Sequence, residues 1–208
     1  MANTGPSLSG LLSLSLVAAM FLGGCVSGAT AQGMTVKAAD LKTAAGPEVA
    51  KSVAVGVVTG GEQTDAMWGV SQIDNPAFKR ALVSSLRKAG LLSDNPHAKY
   101  VVTAELIALK QPFFGMDMKV TSRIRYTLKD TATGAVVLDE EIIAPYTATV
   151  GDAFVGAQRL RLANEGSARK SIATLIEKLE AATRSRAVRT PAPTAAPAPI
   201  LMTATHTL

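Results

Sequence analysis

Cysteine and histidine are scarce in this chain. Its 208 residues include one cysteine, Cys25, and two histidines, His97 and His206. A single cysteine allows no disulfide within the chain, so the fold must be held by its core, and an oxidising compartment is permitted without being required. With so few nitrogen and sulfur ligands, we predict no metal site and no cofactor.

The chain also lacks an apolar run long enough to span a bilayer. The uncharged stretch 11–22 is shorter than the roughly 20 residues that a membrane-spanning helix needs. It closes with Leu22-Gly23-Gly24-Cys25, which is the pattern of a bacterial lipoprotein signal. We therefore predict cleavage between Gly24 and Cys25 and attachment of fatty acyl chains such as palmitate to Cys25, with residues 1–24 as the signal peptide.

Basic residues are missing from the first ten positions, although a secretory signal normally begins with a basic segment. A misassigned start codon would account for this, and an ordinary cysteine in a disordered leader is the alternative reading. Val26, in place of Asp, follows the cysteine. By resemblance to the sorting rules of enteric bacteria, this residue favours the periplasmic side of the outer membrane over the inner membrane.

The charge balance argues against nucleic acid as a partner. The net charge is +5, but the basic residues are spread along the chain and do not form patches.

Apolar residues make up 48% of the chain, as expected for one globular domain. Residues 25–50 are rich in Ala and Gly and are predicted to form a lipidated, flexible tether. Residues 51–185 are predicted to form an α/β domain. Residues 186–208 are rich in Pro and Ala and are predicted to be a disordered tail.

Hydrophobic periodicity within 51–185 predicts two helices. Asn75 is expected to cap the first helix, with Pro76 in its first turn and Gly90 at its end. The second is expected over about 157–183. The apolar face of each helix is formed by the following residues: Phe78, Ala81, Leu82, Leu86 and Ala89 in the first, and Leu160, Ala163, Ile172, Leu175, Ile176 and Leu179 in the second.

Four strands are predicted, one before the first helix and three between the two helices. Residues 52–58 and 100–109 read as buried strands, 116–128 alternates between apolar and charged residues, and 136–144 follows a turn at Gly134. The order βαβββα predicts an α+β fold, a two-layer α/β sandwich with a mixed four-stranded sheet and both helices on one face. Pairing Leu128 with Val136 sets opposite charges against each other on the exposed face. The expected pairs are Arg125 with Asp139 and Arg123 with Glu141.

Two segments of the predicted domain resemble a known family. They are Phe78-Lys79-Arg80-Ala81-Leu82 with Ala89-Gly90-Leu91, and Arg123-Ile124-Arg125-Tyr126 before the Gly134 turn. Over about residues 50–183 the chain resembles the YajG-like lipoproteins and, more loosely, the auxiliary lipoproteins of ABC transporters and the curli-assembly lipoproteins. The resemblance implies an envelope lipoprotein that binds other envelope proteins or lipid, with no catalytic residue to transfer.

Enzymatic chemistry has little support in the residues. The alternative function is an envelope glycolipid enzyme of the UDP-N-acetylglucosamine acyltransferase type, but the hexapeptide repeats expected of such an enzyme are missing. His97 is expected in a solvated turn, and Ser85-x-x-Lys88 and Ser167-x-x-Lys170 on exposed helix surface. The acidic run 139–141 is expected to form structural ion pairs. We assign no catalytic residue; an unlipidated periplasmic binding domain is the third alternative.

The remaining candidates are apolar side chains in predicted loops or directly beside one. They are Trp68, Phe113, Phe114, Met116 and Met118. Such residues either form a binding patch for an envelope protein or acyl chains, or cap one end of a small core. The two interpretations differ in exposure: a binding patch faces solvent and a cap does not.

Overall fold

The computed structural model describes residues 27–42, 46–47, 49–64 and 71–189, and side chains as far as 185. The helices pack on one face of a four-stranded mixed sheet, which confirms the predicted α+β fold. The strands are β1 (Val53–Thr59), β2 (Tyr100–Lys110), β3 (Met118–Asp130) and β4 (Val136–Ala148). The helices are α1 (Ala31–Met34), α2 (Asn75–Lys88) and α3 (Gly156–Arg189), with a 3₁₀ turn at Ala38–Asp40.

The sheet order is β1-β2-β3-β4, with β1 and β2 parallel and the other pairs antiparallel. The predicted β3–β4 register is wrong by two residues, since Leu128 pairs with Leu138 and a bulge follows it. Asp130 Oδ1 accepts hydrogen bonds from the backbone of Ala132 and Thr133, which lengthens the turn. A shift of two keeps every side chain on its predicted face because the strand period is two.

The predicted ion pairs form despite the shifted register. They are now diagonal neighbours, with Arg123 Nη2 2.8 Å from Glu141 Oε1 and Arg125 Nε 3.0 Å from Asp139 Oδ1. Each long arginine side chain reaches the residue two positions away, on the neighbouring strand, from the one directly opposite it. Both pairs are partly exposed, so their contribution to stability is small, typically about 0–1 kcal/mol.

Helix α2 covers the β1 side of the sheet. Asp74, in place of the predicted Asn75, caps it by accepting a hydrogen bond from Ala77 N at 2.6 Å. All residues of its predicted apolar face are buried, and Phe78, Leu82 and Leu86 are fully so. The helical spacing of these side chains therefore identifies the packed face correctly.

Helix α3 covers β3 and β4 and is longer than predicted, since it continues to Arg189 inside the segment assigned to the tail. Its predicted apolar residues are all buried. Small residues bring it close to the sheet: a Cβ on Gly166 would overlap the ring of Tyr146. Ser167 Oγ accepts a hydrogen bond from Ser122 N at 2.9 Å, and Ser171 Oγ lies 3.0 Å from the Tyr126 hydroxyl. Burial raises the pKa of Tyr126.

The segment predicted as a flexible tether is ordered and packed over residues 29–36. Ala29, Met34 and Val36 are buried in the main core. Thr30 donates from its N–H and its hydroxyl to Glu165 Oε1, each at 2.9 Å. The sequence missed this packing because these three apolar residues, unevenly spaced over eight positions, show no sustained period.

Candidate functional site

Three loops meet at one end of the sheet, which we call the loop end. They are the described residues 60–64 and 71–74 after β1, 111–117 between β2 and β3, and 149–155 between β4 and α3. The parallel pairing of β1 with β2 and the antiparallel pairing of the others bring them together. Gln111 Nε2 donates to Ser71 O at 2.8 Å and so joins two of these loops.

Large apolar side chains project into solvent at the loop end. Phe113 is 97% exposed, Phe114 87%, Met116 77% and Phe154 90%. Val155, beside Phe154, is also exposed. We call these five residues the apolar tip. Exposed aromatic residues grouped in this way are typical of interaction surfaces.

The tip decides between the two interpretations for most of the predicted patch. Phe113, Phe114 and Met116 do not cap the core, because they face solvent. Met118 does, since it is buried with Val120, Ala148, Leu160 and Ala163 in a second, smaller core. Trp68 lies outside the described residues. Sequence reasoning missed Phe154; an aromatic residue between Asp152 and Gly156, in a short loop ahead of a helix, was the available signal.

Arg159 holds the two tip-bearing loops together from the first turn of α3. Its Nη1 donates to Ala153 O at 2.8 Å and to Phe154 O at 2.6 Å, and its Nη2 donates to Gly115 O at 3.3 Å. The guanidinium thus binds carbonyls on both loops and is itself buried. The aromatic side chains are therefore presented on a fixed backbone.

Asp152 stabilises the second of these loops. Its Oδ2 accepts hydrogen bonds from Thr149 N at 2.7 Å and from the Thr149 hydroxyl at 3.0 Å. These hydrogen bonds favour the charged carboxylate and lower the pKa of Asp152. The charge of this group is therefore engaged in the turn that leads to Phe154.

The described chain begins at the same loop end. Ser27 Oγ accepts a hydrogen bond from Arg161 Nη1 at 3.3 Å, and Ala29 N donates to Gln72 O at 2.9 Å. Arg161 lies two residues after Arg159, close to the start of α3. Gly24 and Cys25, the predicted cleavage and lipidation residues, lie outside the described residues. Cys25 is only two residues ahead of Ser27, which limits their Cα–Cα distance to about 7 Å.

The titratable groups do not form a recognisable catalytic arrangement in the described part of the chain. Each residue of the acidic run is in an ion pair, with Glu140 3.2 Å from Lys178 Nζ and its two neighbours paired with Arg125 and Arg123. His97 is exposed in the turn at the far end of the sheet, and His206 lies outside the described residues. Over the same ranges, no group of three His, Cys, Asp or Glu residues is placed to hold a metal ion.

In the two Ser-x-x-Lys pairs the lysines are exposed as predicted, but the serines are buried. Ser85 is fully buried; its hydroxyl donates to Ala81 O at 2.7 Å and accepts from Val36 N at 3.0 Å. Ser167 is also buried and donates to Ala144 O at 2.6 Å. Both hydroxyls bind backbone groups across packed elements, which is a structural role.

The fold is similar to that of solved bacterial proteins. No family model and no curated protein matches the sequence. Protein XCC0632 from Xanthomonas campestris, of the DUF330 family, aligns with a TM-score of 0.53 at 10% identity, over 72% of this chain and 96% of that one. Protein CT253 from Chlamydia trachomatis gives 0.48 at 13% identity, over 64% and 97%. Lipoprotein GNA1162 from Neisseria meningitidis gives 0.35 at 8% identity, over 66% and 98%.

The similarity to protein XCC0632 shows a shared fold, and at 10% identity it shows nothing beyond the fold.

Among the helices of the described residues, none combines the length and apolar character that crossing a membrane requires.

Proposed function

We propose that this chain is a lipid-anchored envelope lipoprotein, acylated on Cys25 after cleavage behind Gly24. Its α/β domain acts as a non-enzymatic interaction module in envelope assembly or lipid transport. The apolar tip is the interaction surface, and it faces the periplasmic side of the outer membrane. The protein needs no cofactor for this role.

The observation that carries the proposal is the apolar tip, which lies at the end of the sheet where the described residues begin. Three phenylalanines there are at least 87% exposed, although burying one such side chain is typically worth about 1.5–3 kcal/mol. A surface of this kind is stabilised by contact with another apolar surface. The lipoprotein signal Leu22-Gly23-Gly24-Cys25 and the uncharged stretch before it supply the anchor that would keep this surface at a membrane.

The anchor is tested by metabolic labelling with an alkyne analogue of palmitate. We expect label in the wild-type protein and none in the Cys25→Ala variant, because Cys25 is the only thiol in the chain. Ser27→Ala, two residues away, is the matched control and should be labelled like the wild type. Label retained in Cys25→Ala, or missing from the wild type, would contradict the proposal. Separation of the two membranes on a density gradient then tests the outer-membrane assignment.

A further inference from the structure

We infer that the apolar tip enters the acyl-chain region of the same bilayer leaflet that holds the lipid on Cys25. This inference rests on the proposed acylation and commits the tip to one occupant, a phospholipid leaflet. In this arrangement the loop end faces the membrane. The turn at residues 131–135, at the far end of the sheet, faces the periplasm.

The first argument is covalent reach. The Cα atom of Cys25, which would carry the lipid through its side chain, lies within about 7 Å of the Ser27 Cα, whatever conformation the two intervening peptide units adopt. Ser27 contacts Arg161, and Arg159 in the same turn of α3 binds the carbonyls of both tip-bearing loops. The lipid therefore emerges at the same loop end as the tip, so one leaflet can accept both the acyl chains and the phenylalanine rings.

The second argument is the shape of the tip. Side chains that are 87–97% exposed project from the surface, since neighbouring atoms cover almost none of them. A protein partner would need a cavity matched to each projecting ring, whereas hydrocarbon is fluid and closes around them. Phenylalanine is also among the residues that interfacial helices of peripheral proteins bury in the headgroup–acyl boundary.

The third argument is the charge around the tip. Lys110 and Lys119 border the loop that carries Phe113 and Phe114, and both are exposed. Arg161 lies beside Ser27. Two acidic residues also lie in this region: Asp117 is exposed, and Asp152 accepts hydrogen bonds from Thr149. Basic side chains around an apolar centre can reach anionic phosphates while the rings lie deeper.

The inference is tested by measuring immersion depth with spin labels. Acylation of Cys25 uses the only native thiol, so Phe114→Cys adds a single labelling site to the full lipidated protein. Ala132→Cys, exposed in the far turn, is the matched control. Both proteins are reconstituted in vesicles of phosphatidylethanolamine and phosphatidylglycerol. Power saturation then compares the accessibility of each label to oxygen, which concentrates in hydrocarbon, and to a water-soluble nickel chelate.

We expect the label at residue 114 to be accessible to oxygen and shielded from nickel, and the label at residue 132 to show the reverse. Equal nickel accessibility at both positions, with the protein still floating with the vesicles, would overturn the inference and leave a protein as the occupant of the tip. Absence of acylation would instead appear as a free thiol at Cys25 and loss of flotation, which refutes the anchor. Since Phe114 is exposed, its replacement should not alter the thermal unfolding curve; this is checked for both variants.

Discussion

Met34→Ala tests whether the segment before β1 is part of the folded domain. The side chain of Met34 is 0% exposed in the main core, although a flexible tether was expected there. Replacing a buried Met by Ala removes apolar burial and leaves a cavity, which together cost about 2–5 kcal/mol. For a chain of this size a loss of about 3 kcal/mol lowers Tm by about 6–12 °C.

The assay is chemical and thermal unfolding followed by circular dichroism in the full chain. Gln32→Ala is the matched control, because Gln32 belongs to the same short helix and is exposed. Its effect should stay within about 0.5 kcal/mol. If Met34→Ala and Gln32→Ala unfold at the same denaturant midpoint, the segment does not contribute to the core and the reasoning fails.

Two further predictions concern α3. Glu180 is only 5% exposed, and burial raises its pKa. The folded state therefore binds more protons than the unfolded state, so this group makes stability fall as pH rises from the ordinary glutamate pKa through the raised value. Glu180→Gln should raise Tm at neutral pH and lose this advantage in acid; a Tm difference independent of pH would refute it. Gly166→Ala should lower Tm because its Cβ would overlap the Tyr146 ring, whereas Gly46→Ala, with open space around it, should not. Equal Tm values for these two variants would contradict the close packing.

The fold was largely predictable because its elements carry clear periodic patterns. In β3 the alternation of apolar and charged residues identified both faces, and the two helices buried the residues that their spacing selects. Register was less predictable, since the side chain of Asp130 extends the turn through hydrogen bonds that no hydrophobic pattern encodes. A displacement by two left the pattern unchanged, so the pattern alone could not fix it.

The candidate site was only partly predictable for a similar reason. Phe113, Phe114, Met116 and Met118 form one apolar run, but strand pairing turns Met118 inward and leaves the other three outside. Phe154 joined the tip through three-dimensional proximity, which depends on the contacts of Arg159 with both loops. Proximity between loops distant in sequence has no signature in a single sequence.

The hydrogen bonds from Thr30 to Glu165 have a consequence for the rotational freedom of the protein. A domain on a long flexible linker tumbles almost as in free solution and meets its target in random orientations. Because Thr30 is held against Glu165 and Cys25 lies only five residues ahead of it, a lipidated form would instead diffuse laterally with nearly constant tilt. Encounters in the plane of the membrane then become a two-dimensional search in which every collision presents the same surface.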